Sequence, residues 1–252
     1  MLLHDVSPAH YGRHQVYVFD DQPALQSATA EYLCGICLQH AAQQDTVSFA
    51  LSGGSTPIGV YERLAQPPWR ERFPWENTHI LFGDERYVPH DDEQSNYRMA
   101  SQAMLQHVPL NAQQIHAIPT HCAEPADCAA LYESEIKQLH VDSELPAIDV
   151  VLLGMGDDGH TASLFPDTPI LSETRHLVAA VFVAKFNSWR ISLTYPVLNH
   201  AKTVCVLVSG EGKAEVLREV ISSDTPRYPI QRIANPNGIV WLTDRAAASR
   251  LP

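Results

Sequence analysis

The stretch from Val150 to Pro166, VVLLGMGDDGHTASLFP, constrains the fold most: an unbroken apolar run stops at glycines, then presents two aspartates and a histidine. Val150, Val151, Leu152 and Leu153 show no alternation with polar residues, the pattern of a parallel strand covered on both faces. Gly154, Gly156 and Gly159 let the backbone turn tightly and approach a ligand closely. Asp157, Asp158 and His160 then fall at the carboxyl end of a strand, where open α/β sheets bind ligands. A glycine turn with one surface histidine explains the same residues, so the rest of the chain has to decide.

Other apolar runs end in the same way. Val47 to Leu51 leads into Ser52, Gly53, Gly54, Ser55, Thr56 and Pro57, followed by a helix carrying Val60, Tyr61 and Leu64. Backbone N–H groups and hydroxyls at such a helix start can cradle an anion, and Pro57 suits the first helical position. No lysine follows the glycines as in a P-loop, and no GxGxxG is present. A βα turn with a Ser or Thr cap fits the stretch equally well. His79 to Phe82 ends in Gly83, Asp84, Glu85, Arg86 and Tyr87, and after the polar run His90 to Ser95, Asn96 precedes a predicted helix with Met99, Met104 and Leu105. The charges fit either a site or a solvated loop. Thr203 to Val208 runs into SGEGKAEVL, which puts Lys213 in or just before the first turn of a helix bearing Ala214, Leu217, Val220 and Ile221. The macrodipole disfavours a cation there, a conflict that a bound anion relieves and a solvated lysine simply tolerates.

The remaining periodicity predicts a strand at Val16 to Val18, helices from Leu25 to about Gln43 and around Cys128 to Leu139, and strands at Leu177 to Val183, Ile191 to Leu193 and Gly238 to Leu242. Residues 1–15 read as a loosely organised lead-in to a single domain spanning 1–252. With 252 residues and 45% hydrophobic content, the chain can bury a large core. A formal charge of −12 argues against a nucleic-acid binder, and an anionic ligand requires a local positive pocket. No apolar stretch reaches the ~20 residues that span a bilayer. The N-terminus lacks a secretory pattern, so the expected location is cytoplasmic. Five cysteines fit a reducing compartment. Cys34 and Cys37 form a mid-helix CxxC that reads as packing rather than redox or zinc chemistry, and His121, Cys122 and Cys128 read the same way.

Four motifs carry a resemblance when taken together: ALSGGSTP at 50–57, GDERYVPHDDEQSNYRMA at 83–100, LLGMGDDGHTASLFP at 152–166 and SGEGKAEVL at 209–217. In this order they resemble the glucosamine-6-phosphate isomerase/6-phosphogluconolactonase family, over roughly residues 16–248. The resemblance implies a Rossmann-like αβα sandwich with a mainly parallel open sheet. The isomerase (deaminase) branch follows its histidine with Ile-Ala-Phe-Asn-Glu-Pro, whereas Phe165 stands here where that glutamate would be. Asp84-Glu85-Arg86 likewise resembles the lactonase branch. One departure is local: lactonases commonly have a proline-rich stretch before Arg-Ile-Thr, where this chain reads AKFNSWRIS from Ala184 to Ser192.

What the resemblance implies is hydrolysis of 6-phospho-D-glucono-1,5-lactone, a step of the oxidative pentose phosphate pathway, with no cofactor and no metal. It implies His160 as the base that activates water, Arg86 or loop N–H groups facing the developing oxyanion, and Asp84 and Asp158 orienting His160, water or sugar hydroxyls. The phosphate is expected against Ser52, Gly53, Gly54, Ser55 and Thr56, with Asn96, Arg190 and Lys213 also on the binding side. The expected partner is the phosphorylated sugar lactone, with no nucleic acid or membrane, in a monomer or small homo-oligomer. The alternatives are the deaminase/isomerase reaction and a non-catalytic sugar-phosphate sensor.

Overall fold

The apolar runs become the strands of one central sheet. A computed structural model describes residues 6–252 except 142, 144 and 224, so residues 1–5 of the lead-in lie outside the described residues. The strands are β1 (Ala9–Tyr11), β2 (His14–Phe19), β3 (Val47–Leu51), β4 (Thr78–Phe82), β5 (Asp84–Arg86), β6 (Val150–Gly154), β7 (Val178–Val183), β8 (Ser188–Leu193), β9 (Thr203–Val208) and β10 (Ile239–Asp244). The helices are α1 (Gln22–Ala41), α2 (Ser55–Leu64), α3 (Trp69–Arg72), α4 (Asn96–Ala103), α5 (Pro125–Leu139), α6 (Tyr195–His200) and α7 (Ala214–Ser222). Among the described residues no helix is long and apolar enough to cross a membrane.

Seven strands pair in the order β1-β2-β10-β9-β6-β3-β4. Every pair is parallel except β1 with β2. Sequence and sheet order reverse between β3 and β6: β3 continues outward to β4 on one side, and β6 to β9 and β10 on the other. Their connections therefore diverge and leave a crevice at the strands' carboxyl ends. The strands read as buried runs are buried on both faces, with every residue of β3 covered. Trp241, Tyr61, Tyr132, Phe19, Phe49 and Phe82 are the largest fully buried side chains.

A buried carboxylate pins the opposite end of the sheet. Asp149, 2% exposed, accepts from Ser48 N and Oγ, both at 2.8 Å, from Gln44 Nε2 at 2.8 Å and from Lys202 Nζ at 2.7 Å. Burial alone would raise its pKa, but the Lys202 and Ser48 contacts win and hold it below the usual carboxylate range. The entry to β6 is thereby tied to β3 and to the residue before β9.

Three features differ from the sequence reading. Part of the lead-in is ordered: β1 pairs antiparallel with β2, and His14 opens β2 as a buried residue. The short β5 joins β8 and β7 in a separate antiparallel sheet, so the parallel character is confined to the main sheet. Cys122 and Cys128, read as packing residues, form a disulfide with Cα atoms 5.6 Å apart. That spacing lies within the range a disulfide requires, and it arises because Pro125 starts α5 and puts Cys128 in its first turns, facing back to the preceding loop. Cys34 and Cys37 stay free and buried in α1.

His14 makes the fold sensitive to acid. Its Nδ1 accepts from Trp241 Nε1 at 2.9 Å, which requires a neutral ring. Burial, reinforced by Arg13, pulls its pKa down from 6.5 to about 4. Between these values the unfolded state binds more protons, so acidification destabilises the folded state by roughly 1.4 kcal/mol per pH unit. Urea unfolding at pH 6.5, 5.5 and 4.5 is expected to show this loss, and His14→Gln to flatten the slope by about that amount.

Candidate active site

The cleft at the divergence of β3 and β6 has a volume of about 420 Å³. The stretches after β3, β6 and β9 line it together with β5 and the β7–β8 hairpin.

The first segment follows β3. As the chain leaves the sheet, Ser52 N donates to the Tyr61 hydroxyl at 2.9 Å and that hydroxyl donates to Ser52 O at 2.8 Å, so one buried tyrosine satisfies both main-chain groups. Gly54, with φ of 100°, is the N-cap of α2 and supplies no side-chain cap. Ser55 is the first helical residue, so Pro57 occupies the third position rather than the first, and no Ser or Thr caps the turn. Ser52, Gly53, Gly54, Ser55 and Thr56 all reach the cleft wall.

The second segment is β5, where side chains alternate. Asp84 and Arg86 face the cleft, while Glu85 points the other way and is 1% exposed. Its carboxylate accepts from the N–H groups of Arg86 at 2.7 Å, Asn96 at 2.7 Å and Tyr97 at 2.8 Å, and from Ser95 Oγ at 3.1 Å. Burial pushes the Glu85 pKa up against these donors. Glu85 thus ties β5 to the start of α4, a role that the alternation within Asp84-Glu85-Arg86 signals but the sequence reading missed. Asn96 is not on the cleft wall. It lies buried behind it, donating from Nδ2 to Asp84 O at 2.9 Å and to Oδ1 at 3.3 Å. A Cβ on Gly53 would come within 2.2 Å of Asn96, so glycine is required for the two loops to meet. Ser163 Oγ donates to the other Asp84 oxygen at 2.5 Å.

The third segment follows β6. Asp158 stands behind His160 rather than on the wall and accepts from His160 Nδ1 at 2.5 Å. A carboxylate partner places the proton on Nδ1, which leaves Nε2 as the basic nitrogen of the neutral ring. Burial would raise the Asp158 pKa, but hydrogen bonds from His160 and Lys185 bring it to about 2. The imidazole stacks on Phe165, with centroids 4.0 Å apart. A Cβ on Gly156 would fall 2.0 Å from His160 Nδ1, so this glycine makes room for the ring.

The cations of the cleft come from three of these stretches. Arg86 and Arg190 are directly opposed in the β5–β8 register. Arg190 is 7% exposed, and burial, with Arg86 beside it, lowers its pKa. The Nε atoms of Arg86 and Arg190 and the Thr161 hydroxyl are buried without partners among the described residues, and all three side chains line this cleft. Lys213, at the start of α7, also reaches the wall and pairs with the exposed Asp157. The departing loop forms a 3₁₀ turn at Ala184–Phe186, and Phe186 adds an aromatic wall that the sequence reading did not foresee.

Residues 20–241 match the family model described as glucosamine-6-phosphate isomerases/6-phosphogluconolactonase. The chain belongs to this family. It is 40% identical to a Nostoc 6-phosphogluconolactonase over 240 residues, covering 94% of this chain and 98% of the relative. A rice protein named probable 6-phosphogluconolactonase 3, chloroplastic, is 36% identical, with 93% of this chain and 75% of the relative covered. The solved structure of 6-phosphogluconolactonase from Trypanosoma cruzi superposes with a TM-score of 0.84 at 29% identity, covering 96% of this chain and 98% of that one. The family's Rossmann-like fold accounts for the main sheet and its crevice. Because its members include isomerases as well as lactonases, the neighbourhood of His160 has to separate the two reactions.

Gly156→Ala tests the packing around that histidine. The added methyl group is expected to displace the imidazole and break its Asp158 contact while leaving the thermal midpoint nearly unchanged. The His160 ring resonances in a ¹H–¹⁵N spectrum read the displacement directly.

Proposed function

We propose that this chain hydrolyses 6-phospho-D-glucono-1,5-lactone to 6-phospho-D-gluconate in the oxidative pentose phosphate pathway, as a cytoplasmic enzyme, monomeric or a small homo-oligomer. The observation that carries this reading is His160 on the wall of a cleft, held from behind by Asp158, with two opposed arginines lining the same cleft. The relatives named as lactonases support it, and so does Phe165. Where the isomerases have a second carboxylate, an apolar ring lies against the histidine.

In this reading His160 Nε2 takes a proton from a water as the water oxygen bonds to C1 of the lactone. Charge builds on the carbonyl oxygen, within reach of Arg86 or loop N–H groups. The bond from C1 to the ring oxygen then breaks, and the ring oxygen takes the proton back from His160. The product acid ionises and releases one proton. Asp158 holds the imidazole in the required tautomer, while Asp84, fixed by Ser163 and Asn96, accepts from a sugar hydroxyl. The phosphate lies against the uncapped start of α2, with Arg190 and Lys213 as cations. Lys213 gives up Asp157 cheaply, because Asp157 is 78% exposed and regains water.

Proton release from freshly prepared lactone, corrected for spontaneous hydrolysis, tests the activity. His160→Ala is expected to lower kcat by about 10²- to 10⁴-fold, the usual contribution of a general base. Near-normal turnover in the folded variant overturns the assignment. Lys213→Ala is expected to raise KM for the phosphorylated lactone while leaving an unphosphorylated gluconolactone unaffected, whereas equal losses on both would remove Lys213 from the phosphate subsite.

A further inference from the structure

The β7–β8 hairpin carries the stretch that departs from the family pattern, and its tip meets the His160 loop at two points. Lys185 Nζ donates to Asp158 Oδ2 at 3.1 Å, while Asp158 Oδ1 holds His160 Nδ1 at 2.5 Å. One carboxylate therefore joins the imidazole to an ammonium group through its two oxygens. The next residue, Phe186, lies edge-on to Phe165, with centroids 5.7 Å apart and planes at 70°, and Phe165 is the ring stacked on His160. The tip holds this shape because Asn187 closes its 3₁₀ turn in the left-handed region, at φ 46°, which asparagine tolerates better than most residues.

Neither contact belongs to the core. The Lys185 side chain is 59% exposed and Phe186 is 48% exposed. An ion pair this open contributes little to folding. Its effect is concentrated on what its acidic member holds, which is His160.

Resting on the lactonase reading above, we propose that Lys185 is a positioning residue acting through Asp158. It anchors the second carboxylate oxygen so that the first stays on His160 Nδ1, and it places a positive charge on the far side of the carboxylate that holds the ring. Among the described residues Lys185 is the one cation paired with Asp158. The other charged groups near His160 are engaged elsewhere: Asp157 pairs with Lys213, and Asp84 is held by Ser163 and Asn96. Arg86 donates to Gln94 O, and Tyr228, packed on Gly159, gives its hydroxyl to Glu219. Arg190 lines the same cleft, from the paired strand.

The test is a double-mutant cycle with Lys185→Met and Asp158→Asn, read by kcat, KM and the pH profile of kcat/KM. Lys185→Met is expected to lower kcat about threefold with little change in KM, in keeping with an exposed pair. With the ammonium charge removed from the shared carboxylate, the acid limb of the profile is expected to move to higher pH. Lys185→Arg should restore both, and in an Asp158→Asn background Lys185→Met should cost nothing further. An equal loss in both backgrounds, or a loss confined to KM, overturns the proposal in favour of direct substrate contact. An unmoved acid limb with a lowered thermal midpoint overturns it in favour of a structural role. If the wild-type chain releases no protons from the lactone, the functional reading fails by itself. The link from Lys185 to His160 is then judged by NMR titration of the His160 ring, where an unchanged midpoint in Lys185→Met refutes it.

Discussion

Parallel pairing of β3 with β6 is the constraint on which the site rests. Both strands are buried on both faces, so neither can shift register without placing polar groups in the core. Their next strands lie on opposite sides, and the two connections have to part. What holds the crevice open is main-chain satisfaction at the strand ends. Tyr61 closes off Ser52 after β3, and Tyr132, buried in α5, accepts from Phe82 N at 2.8 Å at the end of β4. At the opposite end of the strands Asp149 ties their entries together. The loops between can then be polar and irregular while the main chain at these strand ends stays paired.

The cleft concentrates charge that the rest of the chain disperses. With a formal charge of −12 overall, the surface repels anions at long range. Locally, two arginines oppose each other across a ladder, a placement that costs stability unless an anion or carboxylates offset it. Asp84 and Glu85 supply part of that offset, and Glu85 does so from behind the wall while organising the start of α4. The buried Nε atoms left without partners mark where the protein's own groups do not complete the arrangement. Stability given up at a ligand cleft is a common pattern, because donors aimed at a ligand cannot also be aimed at one another.

Much of this was legible in the residues. The buried strands announced themselves as unbroken apolar runs, and their glycine and charged ends located the cleft. What escaped notice were features set by contacts distant in sequence. Ala9–Tyr11 lacks periodicity, yet it forms a strand because the edge of β2 is free to pair. Asp84-Glu85-Arg86 is too short to read as a strand, and only pairing with β8 makes it one. The Cys122–Cys128 bond depends on where α5 begins. Asn96 carries the right chemistry for a ligand contact but lies behind Gly53, and Asp158 lies behind His160, because burial cannot be inferred from residue type.

Read alone, the chain establishes its α/β class, the order of its parallel strands' signals, its family resemblance, and the glycine positions where backbones must approach closely. These follow from local patterns, since apolar runs and turns obey short-range sterics and solvation. The tertiary structure decides which side chains share the cleft and which support it. It sets Arg86 against Arg190, turns Glu85 away from Asp84, and brings Lys185 to the far oxygen of Asp158. VVLLGMGDDGHTASLFP still ends in a histidine at a glycine turn, but the groups that share its cleft or brace its partners come also from β5, β8 and the β7–β8 hairpin. They meet there because long-range pairing and burial, which no local pattern encodes, bring separate segments to the carboxyl ends of the central strands.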